Sequence, residues 1–207
     1  MPVTINSIRA AAARLKNVAI TTPLISNTFL DEKLKARVFI KPECLQHIGA
    51  FKFRGAYNRL SQLSNEERQL GVVAFSSGNH AQGIALAAKL LNIRATIVMP
   101  SDAPKIKLEG TQRLGASVRE YQRATESREE IAGEIARTTG ATLVPAFDDY
   151  EIMAGQGTVG LEIVDQLAEQ SLLPDVVLTP CGGGGLLAGT STAVKSIIPK
   201  ASVYGVE

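Results

Sequence analysis

The sequence predicts an α/β protein of two lobes, in which parallel or mostly parallel sheets are flanked by helices. From residue 72 onwards, short apolar runs alternate with segments of helical periodicity. The strand-like runs are apolar along their whole length, which is typical of parallel strands covered on both faces. Two of these runs are followed at once by a glycine-rich turn that enters a helix. Together these observations favour strands joined by helical crossovers.

Residues 1–70 combine helices with a short strand. The first helix is indicated by Ile8, Ala11 and Leu15, which fall on one face, and Pro23 marks a turn after it. Ser64 and Glu67 have the spacing of a capping box and begin a further short helix. The first helix is predicted over residues 5–16, and further helices over residues 28–34 and 52–63. A strand is predicted at residues 37–41.

The next part of the chain is the most regular. Its predicted strands are residues 72–75, 95–99, 117–121 and 142–144. Three helices separate them, from the Ser76–Gly83 loop to Asn92, from Asp102 to Gly115 and from near Thr125 to Gly140. We expect Asp102 to cap the second of these helices, with Pro104 in its first turn. Residues 70–147 are therefore predicted to form the smaller lobe.

The remaining segment resumes the alternation of helix and strand. A long helix over residues 152–168 contains Gly155, Gly157 and Gly160, which predicts that another element packs closely there. Further elements are expected at residues 175–179 (strand), 186–198 (helix) and 203–206 (strand). The larger lobe would combine residues 1–69 with 148–207.

Composition is ordinary for a soluble globular protein, which we expect to stay in the cytoplasm. The 207 residues are 45% hydrophobic and 20% charged, with a net charge of +2. The sequence has no basic block of the kind that binds nucleic acid, no apolar run of about 20 residues that would span a membrane, and no signal-peptide pattern at its start. Cys44 and Cys181 are too few for a disulfide framework or a zinc site, so we expect reduced thiols.

Lys52 is the candidate nucleophile. It lies where a short loop enters a helix, between Phe51 and Phe53 and next to Arg54. Apolar surroundings and a neighbouring positive charge would both favour the neutral amine, which attacks carbonyl groups. Taken alone, the same pattern also fits a solvated surface lysine.

Two glycine-rich turns are candidate anion sites. The run Gly182–Gly185 follows one strand, and Ser76–Gly83 follows another. The first turn of a helix has backbone N–H groups without partners, and its dipole adds positive charge. A phosphate suits the bare glycine run, and a carboxylate suits the hydroxyls, amide and imidazole of Ser76 to His80. A simple helix cap is the alternative for the second turn.

These motifs resemble those of the threonine dehydratase and serine racemase family, which has the tryptophan synthase β-like fold (fold type II) and uses pyridoxal 5′-phosphate. The resemblance covers the whole chain in order. It is carried by four segments, at residues 43–56, 76–83, 147–158 and 182–185.

The resemblance implies a role for each matching residue. Lys52 would attach the cofactor covalently and take the proton from the substrate Cα, and Ser77 would be the acid or base on the opposite face. The cofactor would be held by Phe51, Asn79, Gly182, Gly183, Gly184 and Gly185, and the substrate by Ser76, Ser77, Gly78, Asn79, His80 and Arg128. For Arg128, an exposed helix charge is an equal alternative.

The reaction implied is dehydration of L-threonine or L-serine to a 2-oxo acid and ammonia, with racemisation if Ser77 returns the proton. The partners implied are an amino-acid substrate and further copies of the chain, in a dimer or tetramer.

The chain departs from the family at two points. Ala50 replaces a serine that many relatives have before Phe-Lys. The family's chains also continue well beyond residue 207 and include a partner for the pyridine nitrogen. Glu207 matches the first carboxylate of a site for Mg²⁺ or another divalent cation, but its fellow ligands would lie downstream.

Two other interpretations stay open at this point. Residues 183–188 fit a dinucleotide-binding fingerprint, and Glu207 stands where the ribose-binding acid belongs. That interpretation, an NAD(P)-binding protein, leaves Lys52 and the Ser76–Gly83 turn unexplained. A shortened, catalytically inactive family member is the third possibility.

Overall fold

The computed structural model describes residues 2–207, in which helices and parallel strands alternate from Val72 onwards and a short antiparallel pair lies before them. The helices are α1 (Ile5–Leu15), α2 (Thr28–Leu34), α3 (Lys52–Ser61), α4 (Asn65–Leu70), α5 (Asn79–Leu90), α6 (Lys105–Arg113), α7 (Arg128–Thr139), α8 (Tyr150–Ala168) and α9 (Gly185–Ile197). The strands are β1 (Ile25–Ser26), β2 (Phe39–Ile40), β3 (Val72–Phe75), β4 (Ala95–Pro100), β5 (Ser117–Tyr121), β6 (Thr142–Leu143), β7 (Val176–Pro180) and β8 (Ser202–Val206).

The central sheet has four parallel strands in the order β5-β4-β3-β6. Its register pairs Val72 with Ala95, Thr96 with Ser117, and Val72 with Thr142. Because all four strands run the same way, their carboxyl ends lie along one edge of the sheet. The turn after β3 and the segment after β6 are therefore neighbours.

Side chains of the central strands alternate between two apolar layers, because successive residues of a strand point to opposite faces. One layer combines Val72, Ala74, Ile97 and Met99 with Phe53 of α3 and Ile84 of α5. The other combines Val73, Val98 and Tyr121 with Ala132 and Ile135 of α7. The predicted covering of both faces by helices is confirmed.

A second parallel pair, β7 and β8, is joined by α9, and α9 packs against α8. The predicted close packing of the α8 glycines is also confirmed. A Cβ on Gly155 would lie 2.6 Å from the Cα of Gly55, and one on Gly160 would lie 2.9 Å from the carbonyl oxygen of Thr190. Side chains larger than hydrogen would separate these helices.

Three helix starts differ from the prediction in their caps, and α8 and α9 begin slightly earlier than predicted, at Tyr150 and Gly185. Helix α5 begins at Asn79, so residues 79–83 are helical and the loop is only Ser76–Gly78. Helix α6 is preceded by Pro104 as its N-cap, because the Asp102 carboxylate pairs with Arg123 at 2.8 Å instead of capping. Helix α7 begins at Arg128 because the Ser127 hydroxyl accepts from the N–H of Glu130.

The capping box of α4 is confirmed, since Ser64 accepts from Glu67 N and Glu67 accepts from Ser64 N. None of the helices in residues 2–207 is both long and apolar enough to span a membrane. Both cysteines are free thiols. The division into lobes at residues 69/70 and 147/148 stays a prediction.

Candidate active site

Lys52 is the first residue of α3, and its amine is directed toward the segment that follows β6. Lys52 Nζ donates to the carbonyl oxygen of Ala146 at 2.7 Å. The amine also lies 5.4 Å from the centre of the Phe51 ring. Burial lowers the pKa of Lys52 below its ordinary value. The structure thus supplies the partly desolvated amine that the sequence predicts.

Arg54 does not provide the predicted like charge beside Lys52. Its guanidinium is buried and binds two carboxylates, at 2.8 Å from Glu43 and 2.5 Å from Glu162. Because these carboxylates compensate the charge, burial alone accounts for the lowered pKa of Lys52. Lys41 belongs to the same buried ionic group, because its Nζ lies 2.6 Å from a carboxylate oxygen of Glu162. Arg54 therefore links α3 to α8 through Glu162, and to the segment that precedes α3 through Glu43.

The turn after β3 is the first candidate anion site, which we call the first cradle. Ser76 Oγ accepts from the N–H of Gly78 at 3.1 Å, and the start of α5 has no side-chain cap among the described residues. The N–H groups of the first turn, beginning with Asn79, are therefore free to bind an anion. Ser77 is partly buried in this turn, and Asn79 is exposed.

The His80 imidazole does not extend into this cradle, contrary to the prediction. It is buried, and its Nε2 lies 3.2 Å from the carbonyl oxygen of Val144. Because a carbonyl can only accept, Nε2 carries the proton, and Nδ1 has no hydrogen-bond partner within residues 2–207. Burial lowers the pKa of His80 to about 4, so the ring is neutral. His80 can offer the cradle only its backbone N–H.

The run Gly182–Gly185 is the second candidate anion site, which we call the second cradle, and it follows the carboxyl end of β7. Gly184 is the N-cap of α9, with a left-handed φ of 83°, and this helix start also has no side-chain cap within the described chain. A Cβ on Gly183 would collide with the Phe147 ring. At Gly183 the absence of a side chain is thus required by the packing, whereas at Gly184 it is the positive φ that favours glycine.

Residues 144–147, which we call the connecting segment, bring the three motifs together. Val144 accepts from His80, Ala146 accepts from Lys52, and Phe147 packs on Gly183. The sequence analysis placed Val144 in a strand and Phe147 in a segment that resembles the family, but it assigned no role to Ala146. Its position after β6, which is parallel to β3, was the one signal that could have placed it beside the turn at Ser76.

Arg128 lies near the first cradle. Its guanidinium carbon is 5.3 Å from the centre of the Phe75 ring, and Phe75 directly precedes Ser76. Arg128 Nε also bonds Glu129 at 2.7 Å, and this contact raises the pKa of Arg128. This position agrees with both interpretations of Arg128. The pair with Glu129 fits a helix charge, and the contact with Phe75 fits a residue close to the first cradle.

Lys107 of α6 is a further cation at the first cradle that the sequence analysis missed. Its Nζ lies 3.4 Å from Asn79 Oδ1 and 3.2 Å from the position of a Cβ on Gly78. Helix α6 packs on α5, which brings this side chain to the turn. No sequence signal distinguished it from Lys105, the other lysine of the same helix.

Glu207 is exposed and directly follows β8. Within residues 2–207, no three His, Cys, Asp or Glu side chains converge as a metal site would require. The described residues therefore supply no fellow ligands for Glu207, and the cation site stays a prediction.

Comparison with known proteins identifies similar sequences and folds. Residues 15–207 match the family model described as "Pyridoxal-phosphate dependent enzyme". The chain is 45% identical to L-threo-3-hydroxyaspartate ammonia-lyase of Saccharomyces cerevisiae over 99% of the chain and 61% of that protein. It is 46% identical to L-threonine ammonia-lyase of Thermotoga maritima, over 99% of the chain and 50% of that protein.

The fold is similar to that of maize serine racemase, with a TM-score of 0.95 and 39% identity, covering 100% of this chain and 62% of that structure. The chain thus spans between half and about three fifths of the proteins that it matches.

Proposed function

The chain belongs to the family of pyridoxal-phosphate dependent enzymes, and on this basis we propose that it is an ammonia-lyase for L-threonine or L-serine. The products would be a 2-oxo acid and ammonia, with serine racemisation as a side reaction. The observation that carries the proposal is the partly desolvated Lys52 amine, hydrogen-bonded to a segment that also contacts the glycine run.

The second cradle fits the phosphate of the cofactor. Its N–H groups at the start of α9 are uncapped, and the packing of Phe147 keeps Gly183 free of a side chain. Gly182–Gly185 would hold the phosphate, Phe51 would pack against the ring, and Asn79 would hydrogen-bond the ring hydroxyl. When bound, the cofactor draws electrons from the substrate Cα and so makes its proton acidic.

The first cradle fits the substrate carboxylate. Backbone N–H groups at the start of α5 and the hydroxyls of Ser76 and Ser77 would orient it. In this arrangement the neutral Lys52 amine would take the Cα proton, because burial keeps part of it unprotonated. Ser77 would return a proton from the other face in racemisation. Arg128 would lie near the substrate hydroxyl.

A second candidate substrate is a 3-hydroxy amino acid with a second carboxylate, such as L-threo-3-hydroxyaspartate, for which the yeast relative is named. The observation that favours it is Lys107, whose ammonium lies beside the first cradle and donates to the neutral amide oxygen of Asn79. An ammonium placed there could pair with a second carboxylate.

The family match supports pyridoxal phosphate over the dinucleotide alternative, although β7, α9 and β8 form a parallel unit with Glu207 at its end. A divalent cation at Glu207 and assembly into dimers or tetramers remain part of the proposal. The division into a smaller lobe, residues 70–147, and a larger lobe is also part of the proposal.

The test is to incubate the full chain and pyridoxal 5′-phosphate with L-threonine, L-serine or L-threo-3-hydroxyaspartate and to measure 2-oxo acid and ammonia. We expect product from the first two, and Ser77→Ala should suppress D-serine formation while ammonia release continues. Lys107→Met separates the candidates, since it should lower turnover of hydroxyaspartate selectively if that is the substrate. Absence of 2-oxo acid from all three compounds would refute the proposal and favour an inactive family member.

A further inference from the structure

The connecting segment is held at both of its ends. At its start, the buried His80 ring donates to the carbonyl of Val144, and the N–H of Val144 donates to Val73 at 2.9 Å. At its end, the Phe147 ring packs on Gly183. Pro145 restricts the backbone between these two points. The Ala146 carbonyl, which lies between them, is therefore fixed in position.

This fixed carbonyl is the acceptor for Lys52. The two groups are 94 positions apart in sequence, and the Nζ to O distance is 2.7 Å. A partly buried amine needs a hydrogen-bond acceptor, since an unsatisfied one is penalised. A carbonyl also favours the ammonium over the amine, because hydrogen bonds from charged donors are stronger. The contact therefore opposes the effect of burial on the same group.

We propose that the Ala146 carbonyl is a positioning group that holds the Lys52 amine whenever it is not covalently engaged and thereby limits how much reactive amine is present. The inference rests on the proposed function only in taking Lys52 as the cofactor-binding lysine. Neither the family match nor the names of the relatives assigns a role to Ala146. The acceptor strength and the position of the Ala146 carbonyl, together with the burial of the amine, determine the reactivity of Lys52.

The direct test weakens this one carbonyl. Replacing Phe147 by its α-hydroxy analogue turns the peptide bond after Ala146 into an ester, whose carbonyl is a poorer acceptor, and keeps the Phe147 ring. The lost N–H makes no backbone hydrogen bond within residues 2–207. The matched control places lactic acid at Ala146, which weakens the carbonyl of Pro145 instead.

The measurement is the rate of reductive methylation of Lys52 by formaldehyde and sodium cyanoborohydride in the full chain at neutral pH, quantified by mass spectrometry. We expect Lys52 to react about threefold faster in the ester at 147, because part of a charge-assisted hydrogen bond is lost. The control ester should react as the unmodified protein does. Equal rates in the two esters would overturn the inference.

A second pair of variants moves the carbonyl without changing its chemistry. Gly183→Ala forces the Phe147 ring, and with it the end of the connecting segment, to shift, whereas a Cβ on Gly182 meets no atom within 4 Å. Lys52 should be methylated faster in Gly183→Ala than in Gly182→Ala, and identical rates would contradict the inference. Neither test uses the cofactor or the substrate, so its result is independent of ammonia-lyase activity.

Discussion

At the scale of the residue, the environment of Lys52 decides what this amine can do. The sequence placed it at a helix start beside apolar neighbours, and the structure agrees. The sequence did not indicate that Arg54 would bind Glu43 and Glu162, or that His80 would donate to Val144, because such contacts join residues far apart in the chain. The local sequence pattern located the motifs, but it could not predict the direction in which each side chain of a motif points.

The lowered pKa of Lys52 predicts how stability depends on pH. Between this pKa and the ordinary value of 10.5, the unfolded state binds more protons than the folded state, so the free energy of unfolding rises as the pH increases towards 10.5. Lys52→Met should reduce that rise, measured by urea denaturation at several pH values.

The control for this measurement is Lys105→Met, whose side chain is 88% exposed and should leave the rise intact. The same pH dependence in both variants would show that burial does not perturb Lys52.

At the scale of the element, the starts of α5 and α9 form the two candidate anion cradles. Glycines determine how closely α8 packs on α3 and α9. The α8 glycines were predicted to mark close packing, since glycine weakens a helix unless something requires it. The start of α5 was misplaced because Gly78 carries no capping side chain, and the sequence therefore gave no local signal for it.

Gly155→Ala tests the packing of α8 on α3. Its Cβ would lie 2.6 Å from the Cα of Gly55 and 2.7 Å from the carbonyl oxygen of Arg54, and backbone cannot move aside as a flexible side chain can. We expect a loss of about 1–3 kcal/mol in the free energy of unfolding. Urea denaturation monitored by circular dichroism measures it.

Gly133→Ala in α7 is the matched control, because a Cβ there meets nothing within 4 Å. It should stabilise the protein by roughly 0.5–1 kcal/mol through helix propensity. If both substitutions changed stability in the same direction, close packing would not explain the α8 glycines.

At the scale of the whole molecule, the alternation of apolar strands with helices was sufficient to predict the parallel sheets and the covering of the central sheet on both faces. The strand order was not predicted, because pairing depends on contacts between distant segments. One face of the β7–β8 pair remains exposed, with Val176, Leu178, Tyr204 and Val206 each more than half accessible.

The buried ionic group around Arg54 connects distant parts of the molecule. Arg54→Leu would leave Glu43 and Glu162 without their main cation, so we expect the free energy of unfolding to fall by about 3–5 kcal/mol. Arg123→Leu, which breaks the exposed pair with Asp102, should leave the denaturation midpoint nearly unchanged. Equal effects of the two substitutions would contradict a structural role for the buried group.

The most direct test of the account is to find where the cofactor attaches. The full chain is incubated with pyridoxal 5′-phosphate, reduced with borohydride, digested and analysed by mass spectrometry. We predict one adduct, on the peptide that contains Lys52, and none there in Lys52→Ala. An adduct on another lysine, or none at all, would contradict the assignment of Lys52 and the function proposed from it.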